Sequence, residues 1–278
     1  MSFTASKELP AMLPSFSVLG VRVHAVQMDD AIATIEQWIA SDRQTHFVSA
    51  ATVHVVMESR RDRTYREAML GADLCLPDGT PLLWIGRKRG YQLASRVYGP
   101  DLMFEFCRRT ADKGYRHFFY GGAPGVPQQL ASELKRRFPE LVVAGAYSPP
   151  FRTLTIDEDA EVVRMINQAA PDLLWVGLGA PKQEKWIHYH RHSIQVPAML
   201  AVGQAFDIHS GRVKQAPAWM SNYGLEWLYR LAKEPRRLWR RYLIYNAQFV
   251  CLVAAESLRH LSRPPSGPMA DPPGKPYG

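Results

Sequence analysis

The amino-acid sequence predicts a doubly wound α/β fold: a Rossmann-like, mainly parallel sheet with a helical C-terminal appendage. Three observations carry that prediction. Short apolar runs alternate with longer segments of helical period up to about residue 211, the pattern of a parallel sheet covered by helices on both faces. Several of those runs end in loops that contain glycine or proline and open a helix. After Gly211 the strand signal stops and only helical pattern remains. The chain is therefore divided into an α/β core (1–211), a basic helical appendage (212–263) and a tail (264–278) too poor in apolar residues to pack.

In order, the predicted strands are His46–Ala50, Asp73–Leu76, His117–Tyr120, Leu141–Ala144, Leu173–Val176 and Met199–Val202. Each is a short apolar run, as expected for strands buried on both faces. Between them, Asp30–Ala40, Leu102–Lys113, Pro127–Phe138 and Glu158–Ala169 show apolar residues at helical spacing. Thr155 and Glu158 form a capping-box pair at the start of the last of these.

Charge is concentrated in one place. The 278 residues carry 34 Lys and Arg against 26 Asp and Glu, a net charge of +8. Residues 212–263 alone hold ten basic and three acidic side chains, a net +7, so the core is nearly neutral. This segment is also rich in aromatics, among them Trp219, Trp227, Trp239 and Tyr242. Cations mixed with amphipathic rings suit an anionic lipid surface. No segment is predicted to span a bilayer: Leu243–Ala255 is too short and is interrupted by Asn246 and Gln248. The N-terminus lacks the basic, apolar and small-residue blocks of a signal peptide. Cys75, Cys107 and Cys251 include no CxxC pair, which excludes a disulfide framework and fits a reducing cytosol. The expected location is cytoplasmic, peripheral on the inner face of the membrane.

Five loops carry candidate chemistry. In ADLCLPDGTPLLW, Asp78 follows a strand within a Pro-Asp-Gly turn; it is either turn chemistry or a general base at a strand's C-terminal end. RVYGPDLM offers Arg96 and Asp101 beside a helix start, where Asp101 reads locally as an N-cap. In FFYGGAPGV, Gly121 and Gly122 either seat a diphosphate before a helix N-terminus or only make a tight connection. In LLWVGLGAPKQE, Gly179, Lys182, Gln183 and Glu184 cluster after a strand, with Pro181 suited to a first helical turn. In AVGQAFDIHSG, Asp207 is a site residue or a turn former. Two further patterns are set aside. Asp157-Glu158-Asp159 resembles a metal-binding DxD but reads as an acidic helix start. His188, His190 and His192 read as a solvated helix face without an acid partner.

Taken in order, ADLCLPDG, RVYGPDL, FFYGGAPGV, LLWVGLGAPKQE, VGQAFDIHSG and GLEWLYRLAKEPRRLWRRY resemble the WecG/TagA/CpsF family of bacterial glycosyltransferases, glycosyltransferase family 26, from about Gly20 to Tyr242. The resemblance implies an inverting transfer of a hexose or N-acetylhexosamine from a UDP-sugar donor to a polyprenyl-diphosphate-linked saccharide, in cell-surface or exopolysaccharide biosynthesis. It implies Asp78 as general base, Gln183 in a substrate-site motif, and Arg237, Arg240 and Arg241 in an appendage that closes the site and touches membrane. With the DxD discounted, no metal cofactor is expected, and arginines are expected to meet the leaving diphosphate. The chain departs from the family pattern at three places: Thr52 stands where the family carries Asn, Gln204 breaks a double glycine, and Gln215 replaces Arg. Thr52 is expected to hydrogen-bond substrate through its hydroxyl instead of an amide. Two other readings stay open, a non-catalytic membrane scaffold of polysaccharide assembly and a nucleic-acid binder using residues 212–263; the neutral core and the lack of a nucleic-acid module count against the second. A homo-oligomer is left open.

Overall fold

A computed structural model describes residues 13–41, 44–217, 219–220 and 224–261. The tail expected at 264–278 lies outside the described residues. The chain opens with a hairpin, β1 (Ser15–Val18) and β2 (Val21–His24), whose antiparallel register pairs Val18 with Val21. Both turn residues have positive φ, 50° at Leu19 and 87° at Gly20, the handedness that a two-residue hairpin favours. Strands this short, with no flanking punctuation beyond one glycine, escaped the sequence reading.

The six strands read from the sequence all form, with ends shifted by at most three residues: β3 (His46–Ala51), β4 (Leu74–Pro77), β5 (Arg116–Gly121), β6 (Val142–Tyr147), β7 (Leu173–Gly177) and β8 (Ala198–Ala201). They make one sheet in the order β4-β3-β8-β7-β5-β6, and every pair is parallel. The chain fills one edge with β3 and β4, crosses to β5 and β6, and returns through β7 to place β8 against β3. All six C-terminal ends thus open on one side, which is where ligands bind in such sheets.

The four helices read from the sequence also form. They are α1 (Met28–Ser41), α5 (Gly99–Thr110, followed by a short 3-10 turn), α6 (Val126–Arg137) and α7 (Ile156–Ala169). Thr155 caps α7 through the reciprocal capping box, so Asp157 to Asp159 are its first turn. Three further helices, which the sequence does not announce, fill the loops after β3 and β4: α2 (Val53–Ser59), α3 (Arg63–Leu70) and α4 (Thr80–Lys88); α8 (Lys182–His190) follows β7, where Pro181 and the histidine run predict a helix. A one-turn helix, α9 (Ala205–His209), follows β8.

Each sheet face is covered. Ile35 of α1, Phe106 of α5 and Leu130 of α6 pack on Val48, Phe119, Trp175 and Leu200. On the other face, Ile166 of α7 and Ile187 of α8 pack on Phe47, Phe118 and Leu174. One polar pair lies inside this core. The Trp175 indole N–H donates to His117 Nδ1 at 2.9 Å, and burial pulls the His117 pKa down to about 3, keeping it a neutral acceptor.

The appendage consists of α10 (Glu226–Lys233), α11 (Pro235–Trp239), a π-helical turn (Arg240–Ile244) and α12 (Tyr245–Leu261). It is seated on the core. Phe249 is buried in the cluster formed by the hairpin, α2 and α3, beside Val55, Val56 and Tyr65. The Tyr245 hydroxyl donates to Glu58 at 2.9 Å, and Arg61 donates to Gln248 at 2.8 Å. Among the described residues no helix is long and apolar enough to cross a membrane.

Candidate active site

Asp78 sits at the C-terminal end of β4, where its backbone N–H is tied to Ala51 O at 3.1 Å. Gly79, which follows it, packs so closely that a Cβ there would lie 2.9 Å from Leu82 and 3.4 Å from the Thr52 backbone. The residue is buried, only 8% exposed. Burial pushes its pKa up to about 7, against the pull of the nearby Arg96 guanidinium and the Gly99 N–H; Glu226 and Asp101 add to the rise.

Arg96 joins these groups. Its Nη1 stands 3.8 Å from Asp78 Oδ1, its Nη2 donates to Glu226 Oε2, and its guanidinium lies 4.2 Å over the Tyr98 ring. Glu226, the first residue of α10, is itself 7% exposed. One half-buried arginine therefore spans a core carboxylate and an appendage carboxylate. Gly224 brings the chain in, packed against Thr80 at the start of α4. An acid inside a segment read as uniformly basic was the available signal for Glu226; the sequence reading counted it only as charge.

Asp101 is not the N-cap expected. Tyr98 holds that position, and Asp101 lies in the first turn of α5. There it accepts from Gln215 Nε2 at 3.3 Å, and burial raises its pKa. The position at which the chain carries Gln in place of Arg thus reaches the site as a hydrogen-bond donor.

Two cavities adjoin these residues. A cleft of about 1200 Å³ is lined by Arg96 and Asp101 together with Trp84, Arg87, Phe104 and Lys214. A smaller cavity of about 320 Å³ lies between the chain after α9 and helix α10, with Tyr98, Glu226, Gln204, Arg212, Arg230 and Lys233 among its walls. Ile208, Val213, Lys214 and Gln215 line both. The Asp78–Arg96–Glu226 cluster supplies Arg96 to one cavity and Glu226 to the other.

The remaining predicted residues divide. Gln183 and Glu184, at the start of α8, are buried. Gln183 accepts from the Gly179 N–H at 3.1 Å and donates to Glu184 at 2.8 Å, and it lies beside Gly203 at the end of β8. Pro181 stands one residue earlier than expected, as the N-cap of α8. Thr52 caps α2, its hydroxyl accepting from the Val55 N–H at 3.3 Å; it lies next to the Asp78 turn. Gly121 and Gly122 are required by packing: a Cβ on Gly121 would lie 2.6 Å from Gly177, and Gly122 donates to Gly177 O at 2.9 Å. Lys182 is exposed and stands 4.8 Å over Phe151, on the β6 side of the sheet. None of these residues, nor Asp207 in α9, is among those that line the two cavities.

Of the three arginines expected in the appendage, Arg240 is the one whose side chain is described. Arg240 is exposed and stands 5.3 Å over Trp239. Arg237 and Arg241 lie on the appendage helices, and their side chains fall outside the described residues. Cations that line the cavities are Arg212, Lys214, Arg230 and Lys233 on the small side, and Arg87, Arg96, Arg137 and Lys214 on the large. The histidine run also differs from expectation. His190 is buried, with Nε2 2.8 Å from Asp159, so it has the acid partner that the sequence reading denied it. Among the described residues, no group of three or more His, Cys, Asp or Glu is placed to hold a metal ion.

Residues 16–263 match the model of the glycosyl transferase WecG/TagA/CpsF family. The chain is 32% identical over 217 residues to a protein of Bacillus spizizenii, covering 78% of this chain and 82% of the relative. It is 33% identical over 196 residues to one of Bacillus subtilis, covering 70% and 74%. It is 28% identical over 226 residues to one of Staphylococcus aureus, covering 80% and 86%. All three relatives are named N-acetylglucosaminyldiphosphoundecaprenol N-acetyl-beta-D-mannosaminyltransferase.

Proposed function

The chain belongs to the WecG/TagA/CpsF family of glycosyl transferases, and from that premise we propose that it moves a hexose or N-acetylhexosamine from a UDP-sugar to a saccharide on a polyprenyl diphosphate, with Asp78 as general base. The relatives' name supports a polyprenyl-diphosphate-linked N-acetylglucosamine as acceptor. The observation that carries the catalytic reading is the buried Asp78, held near pKa 7 at the C-terminal end of β4 and linked by Arg96, which lines the large cavity, to Glu226, which lines the small one. A base is most effective when its pKa lies near the working pH.

In this reading Asp78 takes the proton of the acceptor hydroxyl as that oxygen attacks the anomeric carbon. The sugar–phosphate bond breaks on the opposite face, and the diphosphate leaves with the bonding electrons. Attack opposite the leaving group turns an α-linked donor into a β product, in keeping with the β in the relatives' name. The departing charge is met by side-chain cations, foremost Arg212, Lys214, Arg230 and Lys233. No metal is assigned a role.

The appendage is read as the membrane-facing element. Trp239 (43% exposed) and Leu243 (54%) stand outward beside the exposed cations Arg236 and Arg240, the mix that sits in a lipid headgroup layer. Such docking on the inner face of the membrane would bring the site to a lipid-linked acceptor. Incubation with N-acetylglucosaminyl-diphospho-polyprenol and a panel of UDP-sugars, with and without chelator, tests the reading. Metal-independent release of UDP with a glycolipid one sugar longer is expected; no transfer from any donor rejects it and leaves a non-catalytic scaffold.

A further inference from the structure

The small cavity carries a polar atom that the protein does not satisfy. Gln204, the N-cap of α9, lines this cavity, and its Oε1 is buried without a hydrogen-bond partner. Leaving such an atom unpaired is unfavourable by the desolvation of an amide group. The same cavity holds Arg230, whose buried Nε is also unpartnered. With Arg212, Lys214 and Lys233 it surrounds the space with cations. Two unsatisfied buried atoms, an amide oxygen and a guanidinium Nε, thus belong to residues that line one cavity.

We propose that this cavity holds the diphosphate and transferred sugar of the donor, and that Gln204 selects the sugar by hydrogen-bonding one of its hydroxyls. The inference rests on the glycosyltransferase reading and deepens it. The chemistry is divided within the cavity. Cations suit phosphate oxygens. An amide suits a hydroxyl, which pairs with Gln204 whichever way the amide is turned because it both donates and accepts. The placement fits as well. Tyr98 and Glu226 share the cavity walls with Gln204 and touch Arg96, so a sugar against Gln204 lies on the Asp78 side. At about 320 Å³ the space is near the lower end of ligand pockets and suits part of a nucleotide sugar.

The test compares binding of pyrophosphate, UDP and a panel of UDP-hexoses and UDP-N-acetylhexosamines to the full chain by calorimetry. Gln204→Ala is suited to the purpose, because residue 204 has φ −65° and ψ −10° and alanine adopts that backbone without strain. It is expected to weaken the preferred UDP-sugar about three- to tenfold, the loss of one net hydrogen bond, and to leave UDP and pyrophosphate unchanged. Arg212→Gln combined with Lys233→Gln is expected to weaken all three. Equal weakening of UDP and UDP-sugar by Gln204→Ala, or no weakening of either, overturns the assignment of Gln204. If the wild-type chain binds pyrophosphate through Arg212 and Lys233 but binds no UDP-sugar, the donor reading fails while the anion site stands. If it binds neither, both fall.

Discussion

Replacing Asp78 with asparagine should stabilise the protein near neutral pH while removing its activity. In the folded chain the Asp78 pKa rises from 3.8 to about 7, chiefly because the carboxylate is buried. At 1.36 kcal/mol per pH unit that is about 4 kcal/mol, an upper figure since the buried side chain relaxes on ionising. The sign follows from proton linkage. Below about pH 4, Asp78 is protonated in both folded and unfolded chains and contributes no difference. Between about pH 4 and 7 the folded chain keeps a proton that the unfolded chain has lost, so stability falls as pH rises. Above about 7 the penalty is complete and constant. Asparagine never carries the charge, and its loss leaves Arg96 paired with Glu226. Denaturant unfolding of wild type and Asp78→Asn at pH 4.5, 6 and 8 measures the difference. The variant's advantage should grow from small at pH 4.5 to a few kcal/mol at pH 8. A variant that is less stable at pH 8, or a difference that does not change with pH, refutes the buried, uncompensated carboxylate.

Other consequences can be checked alongside. Glu226→Gln removes a negative charge that raises the Asp78 pKa and frees Arg96 to turn to Asp78; the acid limb of the pH–rate profile should move to lower pH, and an unmoved limb contradicts the coupling. Phe249→Ala removes the buried ring that seats α12 on the core and should destabilise by about 3–5 kcal/mol, read from denaturant midpoints. Thr155→Ala deletes the α7 capping box, far from the two cavities; about 1 kcal/mol of stability should be lost while turnover is unchanged. A chelator should leave turnover unchanged, and rescue by added divalent metal would contradict the cation-based account of the leaving diphosphate.

The sheet was legible in the sequence because parallel strands are buried on both faces, so each is a short apolar run such as Leu173–Val176 or His117–Tyr120. The hairpin Ser15–His24 was not, because four-residue strands beside a single glycine leave too little pattern. Helices α2 to α4 were missed for a related reason: they occupy loop positions in which turn residues such as Pro77-Asp78-Gly79 dominate the local signal. Asp78 was found because its place after a strand is encoded locally. Glu226 was not, since its contact with Arg96 across 130 positions leaves no periodicity to read. Within the appendage, Arg230 and Lys233 of α10 line the cavity, whereas Arg240 is exposed and stands over Trp239. Which face of a short helix turns to the core depends on its docking, and Glu226 sets that docking from outside the basic pattern.

The most direct test of Asp78 as the base is the pH dependence of kcat/KM for sugar transfer to the polyprenyl-linked acceptor, in wild type and Asp78→Asn. The wild-type rate should rise about tenfold per pH unit on the acid side and level off near pH 7, and the variant should be slower by about 10²–10⁴ with that limb gone. A variant that keeps wild-type turnover, or that keeps the same acid limb, would place the catalytic proton transfer elsewhere.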